Sequence, residues 1–244
     1  MAKGAGPMKR GGFAQSLYST NNTKKEIVGT YRMDQYGRGF RYARAGAAAL
    51  SAGFLGVGYA INAAHMNEAI VTAVPAGTET LQLTVTAGSA ILENELAGGM
   101  FQINDAAGEG HTYMIRSNDA LLVGGTTINI SLDRGIVVAL TTASEFTLVH
   151  SNWNDVVEST TVLPACGAPM LAVAIGYYYW AQTHGPGGCY THGTGAEGTS
   201  CEQSADTAGY VDTQDTDATE ENVCVMIGTD GVATEFKPVH WTID

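Results

Sequence analysis

Residues 176–186, GYYYWAQTHGP, set three consecutive tyrosines and a tryptophan between a glycine and a Gly-Pro turn. Successive side chains of a strand point to opposite faces. Alternation puts Tyr177, Tyr179 and Ala181 on one face and Tyr178, Trp180 and Gln182 on the other. Both faces are aromatic, so this strand has to be covered on both sides, by its own fold or by another subunit. Tyr and Trp carry a polar tip on an apolar body and suit half-wet interfaces better than dry cores. The stretch therefore reads as a central strand of a β domain or as a subunit contact. It holds no catalytic arrangement.

The remainder of the chain continues the β reading. Of 244 residues 31 are Gly, and 45% are apolar, enough for a core. Thr80–Thr86 alternates strictly, with Leu81, Leu83 and Val85 on one face. Gly99–Asn104, Thr112–Ser117, Thr126–Leu132, Ile136–Ala139 and Phe146–Val149 follow as short strands, then Val156–Leu163 and Met170–Ile175. Val223–Ile227 and Glu235–Ile243 close the series. Turn signals at this spacing are those of a sandwich or barrel. Asp105–Gly110 is such a turn, and Asn62 is a cap candidate for a short helical turn over 62–69. The expected fold is mainly β: an antiparallel sandwich or barrel-like body with an extended N-terminal arm and little helix.

Composition divides the chain into an extended basic arm (1–44), a β-rich body (45–183), an acidic Gly/Thr-rich exposed insertion (184–222) and closing strands (223–244). The charge is asymmetric. Residues 1–44 carry nine Lys and Arg against two acids, a net of +7, whereas 45–244 carry three against 22, a net of −19. Such an arm suits the acidic surface of a neighbouring subunit better than nucleic acid, which the acidic body repels. Within the arm, residues 31–44 interleave Arg with aromatics: Tyr31, Arg32, Tyr36, Arg38, Phe40, Arg41, Tyr42 and Arg44. Arg and Tyr are typical of interface hot spots. These eight, with Tyr177, Tyr179 and Trp180, are the expected subunit contacts. No apolar run reaches membrane length, and Lys3, Lys9 and Arg10 are not followed by the apolar core of a signal peptide.

Three groupings have residue types that can carry chemistry. Asp212, Asp215 and Asp217, with Glu220 and Glu221 behind, offer hard oxygens of the kind that hold Ca²⁺, without the spacing of an EF-hand. His184, Cys189 and His192, with Cys201 further on, have zinc-ligand types at a non-standard spacing. Glu109 and His111 lack a nucleophile or third group. His65 reads as a surface or packing residue. Cys189 and Cys201 flank a Gly-rich loop and could pair, while Cys166 and Cys224 read as buried thiols. The expectation is no catalytic residue, no cofactor and no metal.

Four segments together resemble a family of tailed-bacteriophage virion proteins that decorate the capsid or associate with the head. They are Gly39–Gly53 (GFRYARAGAAALSAG), Ala97–Ser117 (AGGMFQINDAAGEGHTYMIRS), Leu132–Val157 (LDRGIVVALTTASEFTLVHSNWNDVV) and 176–186. The closing VCVMIGTDGVATEFKPVHWTID is similar to the end of such proteins. The acidic segment after Pro186 departs from the pattern. The resemblance implies a β module on the outer capsid surface that clamps neighbouring major capsid protein subunits. It also implies synthesis in the host cytoplasm and self-association, with capsomer symmetry favouring a trimer. Neither nucleic acid nor membrane is an expected partner. Alternative readings are a tail, tube or fibre subunit, or a carbohydrate-binding β module that uses Tyr190 and Tyr210.

Overall fold

The computed structural model describes residues 12–192, 195–214, 221–228 and 235–244. The described residues are mainly β, with fifteen strands and one short 3-10 turn. They form two compact units, one from Met1–Tyr59 and Asn152–Asp244 (unit 1), the other from Ala60–Ser151 (unit 2). Unit 2 thus interrupts unit 1 in sequence. Unit 1 begins with β1 (Tyr31–Met33), β2 (Gly39–Arg44) and β3 (Gly56–Val57). Unit 2 holds β4 (Glu68–Ala69), β5 (Thr80–Thr84), β6 (Met100–Asp105), β7 (Thr112–Asn118), β8 (Thr127–Leu132) and β9 (Glu145–Val149). The chain returns to unit 1 for β10 (Ala165–Pro169), β11 (Tyr178–His192), β12 (Ser200–Gln203), β13 (Val211–Thr213), β14 (Asn222–Met226) and β15 (Glu235–Thr242).

In unit 1 the aromatic stretch opens a strand of 15 residues, β11. Its first half pairs with β2, from Tyr178 opposite Arg44 to His184 opposite Gly39. Ala181 and Gln182 also pair with β10. Its second half pairs with β15, from His184 opposite Thr242 to Thr191 opposite Glu235, and its end meets β13 in parallel. The order β11-β13-β12-β14-β15 then returns to β11, closing a five-stranded ring. Closure removes exposed sheet edges. Glycine permits the close approach at the turn of the ring. A Cβ on Gly187 would stand 2.7 Å from Gln182 Oε1 and 2.8 Å from the Trp241 indole nitrogen.

Both aromatic faces of β11 are covered by unit 1 itself. Tyr179 and Ala181 pack with Ala43, Leu50, Val156, Cys166 and Val173, with Tyr177 half-buried beside them. On the other face Phe13 meets Trp180 edge-on at 5.1 Å, as does Tyr42. Trp180 Nε1 donates to the Gln15 carbonyl (3.2 Å), and the Tyr42 hydroxyl donates to Gln15 Oε1 (2.8 Å). Gln15 Nε2 donates in turn to the Tyr178 carbonyl. Residues 12–30, which contain no strand beyond one bridge from Asn21 to Tyr178, are thus an arm docked on its own sheet. Residues 1–11 of the expected arm lie outside the described residues.

The domain boundaries drawn from composition are corrected accordingly. β1 and β2 belong to the sheet of unit 1, so the arm ends before Tyr31 rather than at 44. The described residues of the stretch 184–222 are no exposed insertion, since they supply the second half of β11 and all of β12 and β13. Its inward positions are Cys189, Thr191, Cys201 and Val211 rather than a run of Val and Ile. Cysteine packs as a small hydrophobe, and this is why the apolar pattern looked too thin for strands.

Unit 2 is one antiparallel sheet in the order β4-β9-β6-β7-β8-β5. The run β9-β6-β7-β8 has the spatial order of a Greek key. Alternate residues build its core: Leu81 and Leu83, Phe101 and Ile103, Tyr113 and Ile115, Ile128 and Ile130, Phe146 and Leu148. Asn62 caps the 3-10 turn Ala63–His65 by accepting from the Ala64 amide. Three expected strands are absent. Ile136–Ala139 is a turn region anchored by buried Ile136, and no continuous neighbour pairs with it. In unit 1, Val156–Leu163 and Met170–Ile175 are held by isolated bridges, Val157 to Val57 and Val173 to Leu50.

Trp180→Ala deletes the indole that joins arm, β2 and β11. It is expected to destabilise unit 1 by about 3–5 kcal/mol, read as a lower urea midpoint. A midpoint equal to that of the unsubstituted protein would contradict this packing.

Candidate functional site

The segment 31–44 folds into a hairpin whose tip is organised by Asp34. Asp34 Oδ1 accepts from the backbone amides of Tyr36 (2.9 Å) and Arg38 (3.0 Å). Asp34 Oδ2 accepts from Arg38 Nε at 2.8 Å. Burial pushes the Asp34 carboxyl up, but the hydrogen bonds from Arg38 and Tyr36 outweigh it and hold the group below the usual carboxylate range. The turn leaves Tyr36 73% exposed at the tip.

The four arginines of the segment are engaged within the chain. Arg32 donates to the Gln15 carbonyl and lies 4.6 Å over the Phe13 ring. Arg38, besides Asp34, donates to the Tyr18 hydroxyl (3.3 Å). Arg41 forks onto the Asp244 carboxylate at 3.0 and 3.1 Å and donates to the Gly29 carbonyl. Its guanidinium also lies near the Tyr31 and Trp153 rings. Arg44 pairs with Asp155, whose carboxyl is nevertheless pushed up by burial.

This corrects the expected contact set. Phe40, Tyr42, Tyr179 and Trp180 are at most 1% exposed and belong to the core of unit 1. Arg32, Arg41 and Arg44 fasten the hairpin to that core, and Tyr31 and Tyr177 are half-buried against it. Of the eleven, Tyr36 stands free at the tip, while Arg38, Arg41 and Arg44, each paired with an acid, keep 20, 27 and 23% of their side chains exposed. Arg38 is one wall of an open groove of ≈ 270 Å³ that Gly53, Met170, Gln182, Gly188 and Phe236 also line.

Phe236, 56% exposed, leads from that groove to an aromatic cluster which sequence reasoning did not assemble. Tyr190 stacks on Phe54 at 4.9 Å and meets Phe236 at 4.9 Å and Tyr210 at 4.6 Å, both edge-on. The signal lay in β15, where Phe236 occupies an outward position beside buried Lys237 at the start of an alternating strand. Tyr18 and Ile27 before the hairpin and Met33 on β1 are also exposed, and β1 pairs with β2 alone. The surface therefore runs from Tyr36 through Arg38 and the groove to Phe236. It offers ring faces, a guanidinium and apolar area, and no nucleophile–base pair lines the groove.

The other groupings do not converge. His184 and His192 fall on the opposite face of β11 from buried Cys189, because each lies an odd number of positions along the strand from it. His184 Nδ1 lies 2.9 Å from the Asp244 carbonyl, and His192 Nδ1 lies 3.4 Å from Asp212. Glu221 accepts from the Ala165 amide, while Asp215, Asp217 and Glu220 lie outside the described residues. His111 Nδ1 contacts the Gly108 carbonyl rather than Glu109. All four cysteines are free and buried, so Cys189 and Cys201 are unpaired.

Unit 2 carries a feature that sequence reading missed. His65 is buried, with neither ring nitrogen hydrogen-bonded. His150, 3.9 Å from Glu95, is pushed down to about 4 by burial and by its proximity to His65. No protein-family model, curated protein or solved structure matches the chain.

The histidine shift fixes the sign of a pH dependence. Between pH values of about 6.5 and 4, unfolded His150 binds a proton that the folded protein refuses. Its contribution is complete above the unfolded value and declines as pH falls towards the folded one. Unit 2 is expected to lose about 2 kcal/mol between pH 7.5 and pH 5, measured by urea denaturation. His150→Gln should abolish most of that difference, and an unchanged difference would contradict the assignment.

Proposed function

We propose that this chain is a non-enzymatic virion structural protein that decorates the outer capsid of a tailed phage and cements it by bridging major capsid protein subunits. The observation that carries the reading is the exposed surface from Tyr36 through the Arg38 groove to Phe236, set on a closed ring. Rigid aromatic anchors with an arginine between them are the composition of binding hot spots. The resemblance of the four sequence segments to capsid-decorating proteins supplies the partner. Repeated attachment across a lattice multiplies modest single contacts, and a homotrimer matches the symmetry of capsomers.

The partners proposed are the major capsid protein and further copies of this chain, at the outer capsid surface, after synthesis in the host cytoplasm. Nucleic acid is not proposed. Residues 45–244 are strongly acidic and repel a polyanion. A second reading, a carbohydrate-binding β module, draws on the clustering of Tyr190 and Tyr210 with Phe54. A glycan array separates the two.

Tyr36→Ala combined with Phe236→Ala is expected to lower occupancy on purified heads lacking this protein by at least about 10-fold, with the urea midpoint of unit 1 retained. Undiminished occupancy would contradict the assignment of the surface.

A further inference from the structure

The interior of the ring holds three thiols that attachment does not use. Cys189 on β11, Cys201 on β12 and Cys224 on β14 are fully buried and free. All three pack in one apolar cluster with Val211, Val223 and Trp241, and Cys201 Sγ donates to the Thr199 carbonyl at 3.8 Å. Cys201 and Cys224 are direct Cα partners across the antiparallel pair β12–β14. Opposed residues in such a pair have Cα atoms about 4.5–5.5 Å apart, inside the range of about 4.4–6.8 Å that a disulfide spans. Cys189 has a different relation to Cys224, because β15 lies between their strands. Two strand spacings alone amount to about 9–10 Å, and their partners Lys237 and Trp241 lie four residues apart along β15, so the pair is beyond the reach of a disulfide without backbone movement.

We propose that Cys201 and Cys224 are an oxidisable latch, a cross-strand disulfide that locks β12 to β14 within the ring and leaves Cys189 as a thiol beside it. The oxidant is a small-molecule disulfide. One cysteine thiolate attacks it, releasing one small thiol and leaving a mixed disulfide. The second cysteine thiolate attacks that sulfur, and the second small thiol leaves. The two cysteines together give up two electrons and two protons, which the two departing thiols carry.

Closure is slow in the folded ring. Neighbouring Cys224, and then burial, hold the Cys201 thiol far above its ordinary range. Cys224 is likewise raised, first by neighbouring Cys189. The thiolate is the attacking species, so the latch closes through transient openings of the ring.

The test equilibrates the full chain with graded ratios of oxidised to reduced glutathione in sub-denaturing urea, followed by unfolding, alkylation and peptide mapping. The expected result is a fall from four thiols to two, with Cys201 joined to Cys224 and with Cys166 and Cys189 alkylated. The oxidised form should also melt at a higher temperature. Cys189→Ser should still close the latch, whereas Cys224→Ser should keep its three remaining thiols. Four thiols retained by the unsubstituted protein at the most oxidising ratio would overturn the proposal. So would glutathione adducts alone, or a disulfide that maps to Cys189.

Discussion

Strand β11 pairs along its whole length, and the rest of unit 1 depends on that. Its aromatic half carries β2 and β10, and its glycine-rich half carries β15 and β13. A strand of 15 residues can do this only if its composition changes midway. Tyr178, Tyr179 and Trp180 need thick cover on both faces, and they receive it from the arm and from the cluster around Leu50 and Val156. Gly187 and Gly188 then bring the backbone close to β15, where at Gly187 the Trp241 ring occupies the space a side chain would fill. Aromatic bulk anchors one end and its absence closes the other.

The same economy governs the charged residues. A string of Arg and Tyr is as useful for fastening a hairpin to its own core as for gripping a partner. Here most of it fastens. Arg41 reaches the last residue, Asp244, and Arg44 reaches Asp155, so the hairpin is tied to chain segments more than a hundred residues away. What remains for a partner is what these ties leave uncovered, the tip at Tyr36 and the groove beside Arg38. The proposed attachment surface is therefore presented by a hairpin whose position is already fixed.

Much of the fold was legible because unit 2 obeys strict alternation. Leu81, Leu83, Tyr113, Ile115, Ile128 and Ile130 all face inward as period two requires. Unit 1 was harder to read because its core uses small or polar-tipped residues, among them Cys189, Cys201, Cys224 and buried Lys237. An apolar count passes over such positions. The candidate site was half legible. Tyr36 and Arg38 were singled out, but burial of Phe40 and Tyr42 depends on Gln15 and Phe13 packing over them from a segment without periodicity. Phe236 joins Tyr190 and Tyr210 only through ring closure, a long-range pairing that local pattern does not encode.

The most direct measurement is a cryo-EM map of the intact particle with this chain located in it. The account predicts density on the outer capsid surface, with Tyr36, the Arg38 groove and Phe236 turned towards major capsid protein subunits and residues 12–30 folded on their own unit. Absence of the chain from the capsid, or attachment through a face that leaves this surface in solvent, would contradict it.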